Sequence, residues 1–556
     1  MVQDIDPIRL EVMRNALYSV TDEMVAALVR TAYSTNIKDR RDCSCAVYTP
    51  AGEVAAQSEV GTPLHLGVMP AVVSSVLKGV PISDMEPGDH IVMNQPYPAG
   101  PGHLNDISVV SPVFADGKVV ALVASMAHHV DVGGYAPGSM AFGTTEIFQE
   151  GIQIPPVKIV KRHQVDKELL AFMLANVRLP VVGRGDLMAQ VAANNVGGQR
   201  LIALMDKYGA ETVARYMAAL MDYSERRMRA GIGEMPKGRY SFEDYLEWDD
   251  EMLIPIRVAV EIGDDELLAD FTGTSPQVEG PLNCRRPTVE ACVYYVAKCL
   301  VDPGLPPNAG VYRPIEVVAP DGSLVSASYP ASVVHSNIVT TQRIVDVLLG
   351  AFLKAVPERV QAASSGTENL VIIGGPNPRT GSYFSYVETY GGGQGASFDM
   401  DGMSGVHTHM TNTRNAPLEV METSYPLRVE RYGLVPDSEG AGKYRGGFGM
   451  VREVTALADA SLTLSSDRHR LHPWGVDSGL EASGARCILT KPDGSVQELP
   501  VKLTTRIHAG ERIATITPGG GGWGDPRERD HDLVASDVQE GLISQERAET
   551  VYGFGS

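Results

Sequence analysis

The sequence predicts an α+β protein, that is, an irregular mixture of helices and strands, with several domains and a Gly-rich, β-dominated C-terminal half. Its 556 residues exceed what one hydrophobic core usually organises. Helical and strand-like periodicities are interleaved along the chain, but not in the regular order of βαβ units. From about residue 383 to residue 527 the sequence is rich in glycine and turn dipeptides, which favours β-structure there.

The first 235 residues contain helical, strand-like and again helical patterns. Residues 6–34 predict a long amphipathic helix, because Asp6-Pro7 is a capping and first-turn signal and apolar residues then recur at three- and four-residue steps. Residues 43–129 change to strand-like runs, and residues 185–232 return to a helical pattern.

The remaining chain continues this mixture. Residues 238–283 predict strands and turns. Helices are expected over residues 287–301 and 337–356, the second nearly all apolar on one side, and a last helix over residues 534–553.

Shifts in composition place two domain borders near residues 235 and 380. Region 1–235 would hold the first helix, a β-hairpin and a helical segment. Region 236–380 would be mixed α/β, and region 381–556 would be Gly-rich and β-dominated with a C-terminal helix.

The composition limits the classes of function. A net charge of −21 disfavours nucleic acids and anionic membrane surfaces as partners, because both require clustered Lys and Arg. No apolar run of 18 residues and no basic-then-apolar leader is present, so neither a membrane span nor a signal peptide is expected. Six scattered cysteines are typical of thiols in a reducing compartment, and we expect a cytoplasmic protein.

A predicted β-hairpin carries the main functional signal. Two β-rich runs flank Asp116-Gly117, a dipeptide that a tight two-residue turn favours. Ala115 would then pair with Lys118.

Counting along this ladder places His128 opposite Asn105, between His103 and Asp106. A one-residue bulge would still leave the two imidazoles and the carboxylate together at the open end of the hairpin. Such a set suits a divalent metal such as Zn²⁺, Mn²⁺ or Fe²⁺, and three protein ligands leave positions open, as catalytic sites do.

Two further residues bear on this site, and a simpler interpretation of it exists. Asp42, at another strand entrance, is a candidate fourth ligand, whereas His129 would point to the opposite face of its strand and is a weaker candidate. The alternative is that His103 caps a loop, Asp106 makes an Asx turn and His128 is a satisfied buried histidine.

Other candidates carry weaker signals. Glu146 and Glu150 are candidates for a general base or a substrate contact, with a solvated pair as the alternative. His407 and His409 predict either a second metal site or two polar side chains on one face of a surface strand. No Walker A, H-E-x-x-H or G-x-S-x-G pattern is present, so no nucleotide-binding motif is expected in this chain.

Several short sequence blocks occur one after another along the chain, namely "RRDCS", "GHLND", "AHHVDVGG", "TEIFQEG", "LSSDRHRLHPWG" and "TPGGGGWGDP". Together they resemble the hydantoinase B/oxoprolinase family, from about residue 5 to the C-terminus. The family includes B subunits of ATP-dependent N-methylhydantoinases and lactamases, the C-terminal half of 5-oxoprolinases, and α subunits of acetone and acetophenone carboxylases. One block departs from the family pattern, because Asn94-Gln95 stands where Asn-Asp is frequent.

The resemblance implies a two-subunit enzyme. A hydantoinase A-type partner with an actin-like ATPase fold would bind ATP and Mg²⁺ and phosphorylate the carbonyl oxygen of the substrate. This chain would hold a divalent metal, and the family's ligand motifs fall on Asp42, His103, Asp106 and His128. A hetero-tetramer of two such pairs is the expected assembly.

These inferences give one leading hypothesis and two alternatives. The leading hypothesis is the metal-binding catalytic subunit of an ATP-dependent hydrolase of cyclic amides of the hydantoin, lactam or oxoproline type. Its predicted catalytic residues are Asp106, His128 and Glu150. The alternatives are the corresponding subunit of an ATP-dependent ketone carboxylase, and a non-catalytic scaffold with a structural metal.

Overall fold

The structure, a computed structural model, describes residues 5–249 and 251–555. Its α-helices are α1 Pro7–Thr31, α2 Thr35–Lys38, α3 His65–Gly79, α4 Lys167–Ala175, α5 Pro180–Tyr208, α6 Ala210–Gly233, α7 Arg286–Val301, α8 Ala309–Tyr312, α9 Thr341–Phe352, α10 Leu418–Ser424, α11 His531–Gln539 and α12 Gln545–Thr550.

The strands belong to four sheets within these described residues. They are β1 Cys43–Tyr48, β2 Val54–Gln57, β3 His90–Met93, β4 Asp106–Ala115, β5 Lys118–His128, β6 Val157–Lys161, β7 Gln164–Val165, β8 Gly238–Glu247, β9 Leu253–Ile262, β10 Leu267–Asp270, β11 Ile315–Val318, β12 Leu370–Pro376, β13 Tyr383–Thr389, β14 Leu427–Leu434, β15 Met450–Ala456, β16 Ala460–Ser465, β17 Arg486–Thr490, β18 Val496–Leu499, β19 Lys502–Ile507 and β20 Arg512–Ile516.

The first sheet is antiparallel and lies between helices. Its strand order is β2-β1-β5-β4-β3-β6-β7. Helix α1, which begins after an N-cap bond from the Ile8 N–H to the Asp6 carboxylate, packs on one face together with α5 and α6. Helix α3 packs on the other face through Val68, Val72 and Val76. Both faces of the sheet are therefore buried.

The prediction that residues 43–129 form only strands was wrong, because α3 lies within them. Residues 68, 69, 72, 73 and 76 are its buried positions, and this helical spacing was present in the sequence.

The second sheet, β11-β10-β9-β8, has one parallel pair, between β10 and β11. Helix α9 packs on β8, β9 and α7, and every one of its residues is buried, including Gln342, Arg343 and Asp346. A π-helical turn, Ser336–Thr340, leads into it. The helix predicted over residues 337–356, with one apolar side, is thus the central helix α9, and its polar residues are buried as well.

Two further sheets, β13-β12-β16-β19 and β14-β15-β20-β17-β18, form the C-terminal part. The short helix α10 there was not predicted. Gly209, at φ 86°, divides the predicted helix 185–232 into α5 and α6, and Gly541, at φ 70°, lies between α11 and α12. Glycine adopts such positive φ values readily, which is why both helical patterns break there.

The α+β class predicted from the sequence is confirmed by these elements. The domain borders near residues 235 and 380 stay predictions. Within the described residues, no helix combines the length and the apolarity that crossing a bilayer requires.

Candidate metal centre

The β4–β5 hairpin builds one side of the candidate site. Asp116 and Gly117 form its turn, both with positive φ, as a type I′ turn requires. Near the turn Ala115 pairs with Lys118, but the register shifts by one residue between Val113 and Phe114.

This bulge corrects one detail of the sequence prediction. His128 lies opposite Asp106 and not opposite Asn105. Because the bulge adds one residue to β5, it moves every later pair by one position and brings the imidazole of His128 directly beside the carboxylate of Asp106.

His103, Asp106 and His128 converge at the open end of the hairpin. The Oδ1 atom of Asp106 lies 3.0 Å from Nε2 of His103 and 3.3 Å from Nδ1 of His128, and these two nitrogens are 3.1 Å apart. The three residues are at most 5% exposed. Their candidate ligand atoms lie within 4.8 Å of one another, and no other such cluster of His, Cys, Asp or Glu occurs in the part of the chain that the structure describes.

The orientation of His103 is fixed by a backbone contact. Its Nδ1 donates to the carbonyl oxygen of Val334 at 3.1 Å, so Nε2 is the ring nitrogen that faces Asp106 and that a cation would bind after the loss of its proton. Ser332 Oγ, Val333 N and Val334 N all donate to Oε1 of Glu150, at 2.6, 2.7 and 3.1 Å. Glu150 therefore holds the segment that orients His103, and its carboxylate is committed to that segment.

Asp42 lies beside the three converging residues but outside their tight cluster. Its Oδ2 is 4.0 Å from Nδ1 of His128, and its backbone carbonyl accepts a hydrogen bond from the His128 N–H. Thr62 Oγ1 donates to its other carboxylate oxygen at 3.2 Å. His129 contacts Gln190 at 2.9 Å instead.

The buried charges explain the pKa shifts in the cluster. Burial raises the pKa of Asp106, but the neighbouring imidazoles outweigh burial and hold it well below its ordinary range. Burial lowers the pKa of His103, but Asp106 and the Val334 carbonyl raise it, to about 9. The carboxylate of Asp106 and the neighbouring imidazoles thus stabilise each other's opposite charges at a site that bulk water does not reach.

A cavity of about 30 Å³ faces the cluster. Its polar lining is Arg40, Asp42, Thr62, His65, His103, Asp106, His128, Asn337, Glu368, Thr389, Thr411 and Thr413, and its apolar lining is Leu64, Met140, Ile338, Leu370 and Val387. A space of this size holds about one water.

The residues present fit a divalent cation. Two imidazole nitrogens and a carboxylate oxygen lie within 3.3 Å of one another, and a cation between them would displace the protons that these atoms share in its absence. Nitrogen and oxygen donors of this kind suit zinc, manganese and iron. The Nε2 atom of His128 is buried without a hydrogen-bond partner, so it remains available for a hydrogen bond on the side of the ring away from the cation.

Sequence reasoning missed three ionisable residues of the cavity, namely Arg40, His65 and Glu368. His65 contacts Ser44 Oγ at 2.8 Å and lies on α3, the helix that was not predicted. Glu368 stands two residues before β12, so the rule that singled out Asp106, a carboxylate at a strand entrance, applies to it equally.

The weaker candidates are not members of the cluster of His103, Asp106 and His128. Glu146 is exposed and caps a short 3₁₀ turn. His407 and His409 are not on a strand, contrary to the prediction. His407 contacts Thr411, while His409, at φ 56°, lies 3.7 Å from Asp346.

Comparisons with known proteins agree with this architecture. The sequence model of the "Hydantoinase B/oxoprolinase" family matches residues 6–526. The B subunit of a putative D-/L-hydantoinase from a Pseudomonas strain is 34% identical over 99% of this chain and 95% of its own length. The 5-oxoprolinase 1 of Arabidopsis thaliana is 36% identical over 93% of this chain but only 42% of its own length.

Two solved structures share the fold. The ATP-dependent caprolactamase from Pseudomonas jessenii has a TM-score of 0.92 and 30% identity, covering 99% of this chain and 96% of its own. An acetone carboxylase structure has a TM-score of 0.90 at 20% identity, covering 99% of this chain and 79% of its own, and this likeness concerns the fold alone.

Proposed function

The chain belongs to the hydantoinase B/oxoprolinase family, and on that premise we propose that it is the metal-binding catalytic subunit of an ATP-dependent cyclic-amide hydrolase. The observation that carries the proposal is the convergence of His103, Asp106 and His128 on a small buried cavity. The relatives named as a hydantoinase, a 5-oxoprolinase and a caprolactamase support the substrate class.

The proposal includes a partner subunit. A relative named as the B subunit of a hydantoinase implies a second polypeptide, and the plant 5-oxoprolinase has more than half of its length outside the matched region. We assign ATP and Mg²⁺ to a hydantoinase A-type, actin-like ATPase, which would phosphorylate the carbonyl oxygen of the substrate. Two such pairs in the cytoplasm would form the hetero-tetramer.

His103, Asp106, His128 and Asp42 would hold the divalent cation. Such a cation supplies Lewis-acid chemistry, which makes a carbonyl carbon more electrophilic and a water more acidic at neutral pH. The chain itself fixes the imidazole of His103 through Val334 and excludes bulk water from the cavity. Asp106 and His128 face the cavity as the predicted catalytic residues.

The role of Glu150 as a catalytic base stays a prediction. Its contacts favour positioning, because its Oε1 atom accepts three hydrogen bonds from the segment that holds His103.

The test uses the chain co-purified with its ATPase partner. With ATP and Mg²⁺, we expect ring opening of 5-oxoproline, hydantoin or caprolactam, measured by mass spectrometry of the product together with ADP release. Asp106→Asn should lower turnover by about 100-fold or more, since it removes a charged group from the centre of the site.

Asp116→Asn is the matched control at the other end of the same hairpin. Asn tolerates the positive φ of the turn, so this variant should keep full activity. Undiminished turnover in Asp106→Asn would contradict the proposal, and it would favour the scaffold alternative. Product from acetone or acetophenone with bicarbonate, but none from a cyclic amide, would favour the carboxylase alternative.

A further inference from the structure

A second carboxylate lies in the cavity outside the predicted ligand set. Glu368 is 4% exposed and precedes β12, and it lines the same cavity as His103, Asp106 and His128. The following inference rests on the proposed function, and it concerns how the ring nitrogen receives its protons.

Glu368 and Glu150 are both buried carboxylates, but their surroundings differ. Three donors hold Oε1 of Glu150, and its side chain is not among those that line the cavity. Glu368 accepts a longer hydrogen bond, of 3.3 Å, from Nε2 of Gln342 on the central helix α9. Glu368 therefore lines the cavity beside the converging histidines, and its carboxylate is the less restrained of the two.

The charged neighbours of Glu368 also favour chemistry. Arg40 lines the cavity and is held by the carbonyl of Val387 at 2.8 Å and by Thr389 Oγ1 at 2.7 Å, while its Nε is buried without a partner. A fixed cation of this kind stabilises negative charge that develops on an oxygen.

Burial is the main cause that raises the pKa of Glu368, to about 8, and Asp42 adds to it. Gln342, Arg40 and His103 act in the opposite direction. A buried carboxyl that lines a reaction cavity is placed to both donate and accept a proton there.

We propose that Glu368 is the acid–base residue of ring opening, with Arg40 stabilising the developing oxyanion. In a cyclic imidate whose oxygen carries the phosphoryl group, Glu368 donates its proton to the C=N nitrogen as the oxygen of water bonds to the carbon. Glu368 then regains one proton from that water.

The C–N bond breaks next, and its electron pair stays on nitrogen. Glu368 donates a second time to this nitrogen and takes the proton of the new hydroxyl group as the C=O bond forms. Both protons of the water end on the amine, its oxygen ends on the carbonyl carbon, and Glu368 is protonated again. The product of this step is an open-chain acyl phosphate that still carries the phosphoryl group, and a second water must hydrolyse it to a carboxylate and free phosphate.

The experiment compares Glu368→Gln and Glu368→Asp in the assembly with the ATPase partner, on the cyclic amide that the wild type opens. We expect kcat of Glu368→Gln to fall by about 10²–10⁴-fold with little change in KM, and Glu368→Asp to restore part of it. The affinity for Mn²⁺, measured by calorimetry on the chain, should stay within about threefold of wild type, because Glu368 is outside the ligand cluster.

Glu290→Gln is the matched control, since Glu290 pairs with Arg286 outside the cavity and its loss should leave kcat unchanged. Turnover within about threefold of wild type in Glu368→Gln would overturn the inference while leaving the proposed function intact. Loss of Mn²⁺ binding or of assembly in both Glu368 variants would also overturn it and indicate a structural role. A wild-type assembly that opens no cyclic amide would reject the proposed function and this inference together.

Discussion

Two buried clusters of ionisable groups, one at the cavity and one beside α9, balance their charges differently. Besides His409 at 3.7 Å from Asp346, the cluster beside α9 contains three permanent cations and three carboxylates, all at most 10% exposed as side chains: Arg343, Arg468, Lys502, Asp244, Asp346 and Asp467. Nη2 of Arg468 lies 2.7 Å from Asp346 and 3.1 Å from Asp244. Each of its carboxylates thus has a cation within reach.

At the cavity the positive charge comes mainly from imidazoles and one arginine. Three carboxylates line the cavity, those of Asp42, Asp106 and Glu368. The cations beside them are Arg40 and histidines, and a histidine loses its charge on deprotonation. Burial of charge alone therefore does not identify a functional site. The cavity cluster lines a small buried cavity and has fewer permanent cations than carboxylates, whereas the α9 cluster is balanced and stabilises the contact between two sheets.

The largest loss of stability is expected when one carboxylate is removed from the cluster beside α9. Asp346→Ala leaves Arg468 and Arg343 buried without one of their carboxylates, so the free energy of unfolding should fall by about 3–5 kcal/mol. Urea denaturation followed by circular dichroism measures the change.

Glu261→Gln serves as the control for that variant. It breaks an exposed ion pair with Arg239, and such pairs contribute little to stability. Equal denaturation midpoints for Asp346→Ala and Glu261→Gln would show that the balanced cluster does not stabilise the fold as described.

The second prediction concerns binding of a divalent cation by the cluster at the cavity. Adding Mn²⁺ to the chelator-treated chain at about 100 times its Kd should stabilise the wild type by about 2.7 kcal/mol, since the ion would bind only the folded state. The same addition should leave His128→Ala without stabilisation, because one of the three converging ligands is lost.

Thermal unfolding with and without Mn²⁺ provides the measurement. His508→Ala is a matched control, because His508 is exposed and pairs with Asp459 on the surface. Equal Mn²⁺ stabilisation of His128→Ala and the wild type would contradict the assignment of the site.

The third prediction concerns the pH dependence of stability. The pKa of Glu368 rises from about 4.5 to about 8 on folding, chiefly through burial and through Asp42, against the contributions of Gln342, Arg40 and His103. Since the folded pKa is the higher one, the stabilisation is complete below about pH 4.5 and is lost as the pH rises towards 8.

Glu368→Gln lacks this titration. In the metal-free chain, its stability relative to wild type should therefore rise with pH between 5.5 and 8, by at most about 1.4 kcal/mol for each pH unit. Unfolding midpoints of both chains across that range measure the difference. A constant difference would show that Glu368 is already ionised in the folded chain throughout the range.

Local patterns in the sequence determined much of the hairpin and of the helices. The turn at Asp116-Gly117 can be read from the sequence, and a tight turn limits how its two strands can pair. Counting residues from this turn therefore places His103, Asp106 and His128 together at the open end of the hairpin. The helix α1 follows in the same way from apolar spacing and its Asp6 cap.

Only the tertiary structure decided the rest of the cavity. Arg40 and Glu368 are more than 300 residues apart in the sequence, and no periodicity relates them, yet they line one space of about 30 Å³. The bulge that sets His128 opposite Asp106 was allowed for, but the sequence did not predict its presence or its position between Val113 and Phe114. Periodicity reports the local conformation of the backbone, whereas contacts between distant segments are fixed only when the whole core packs at once.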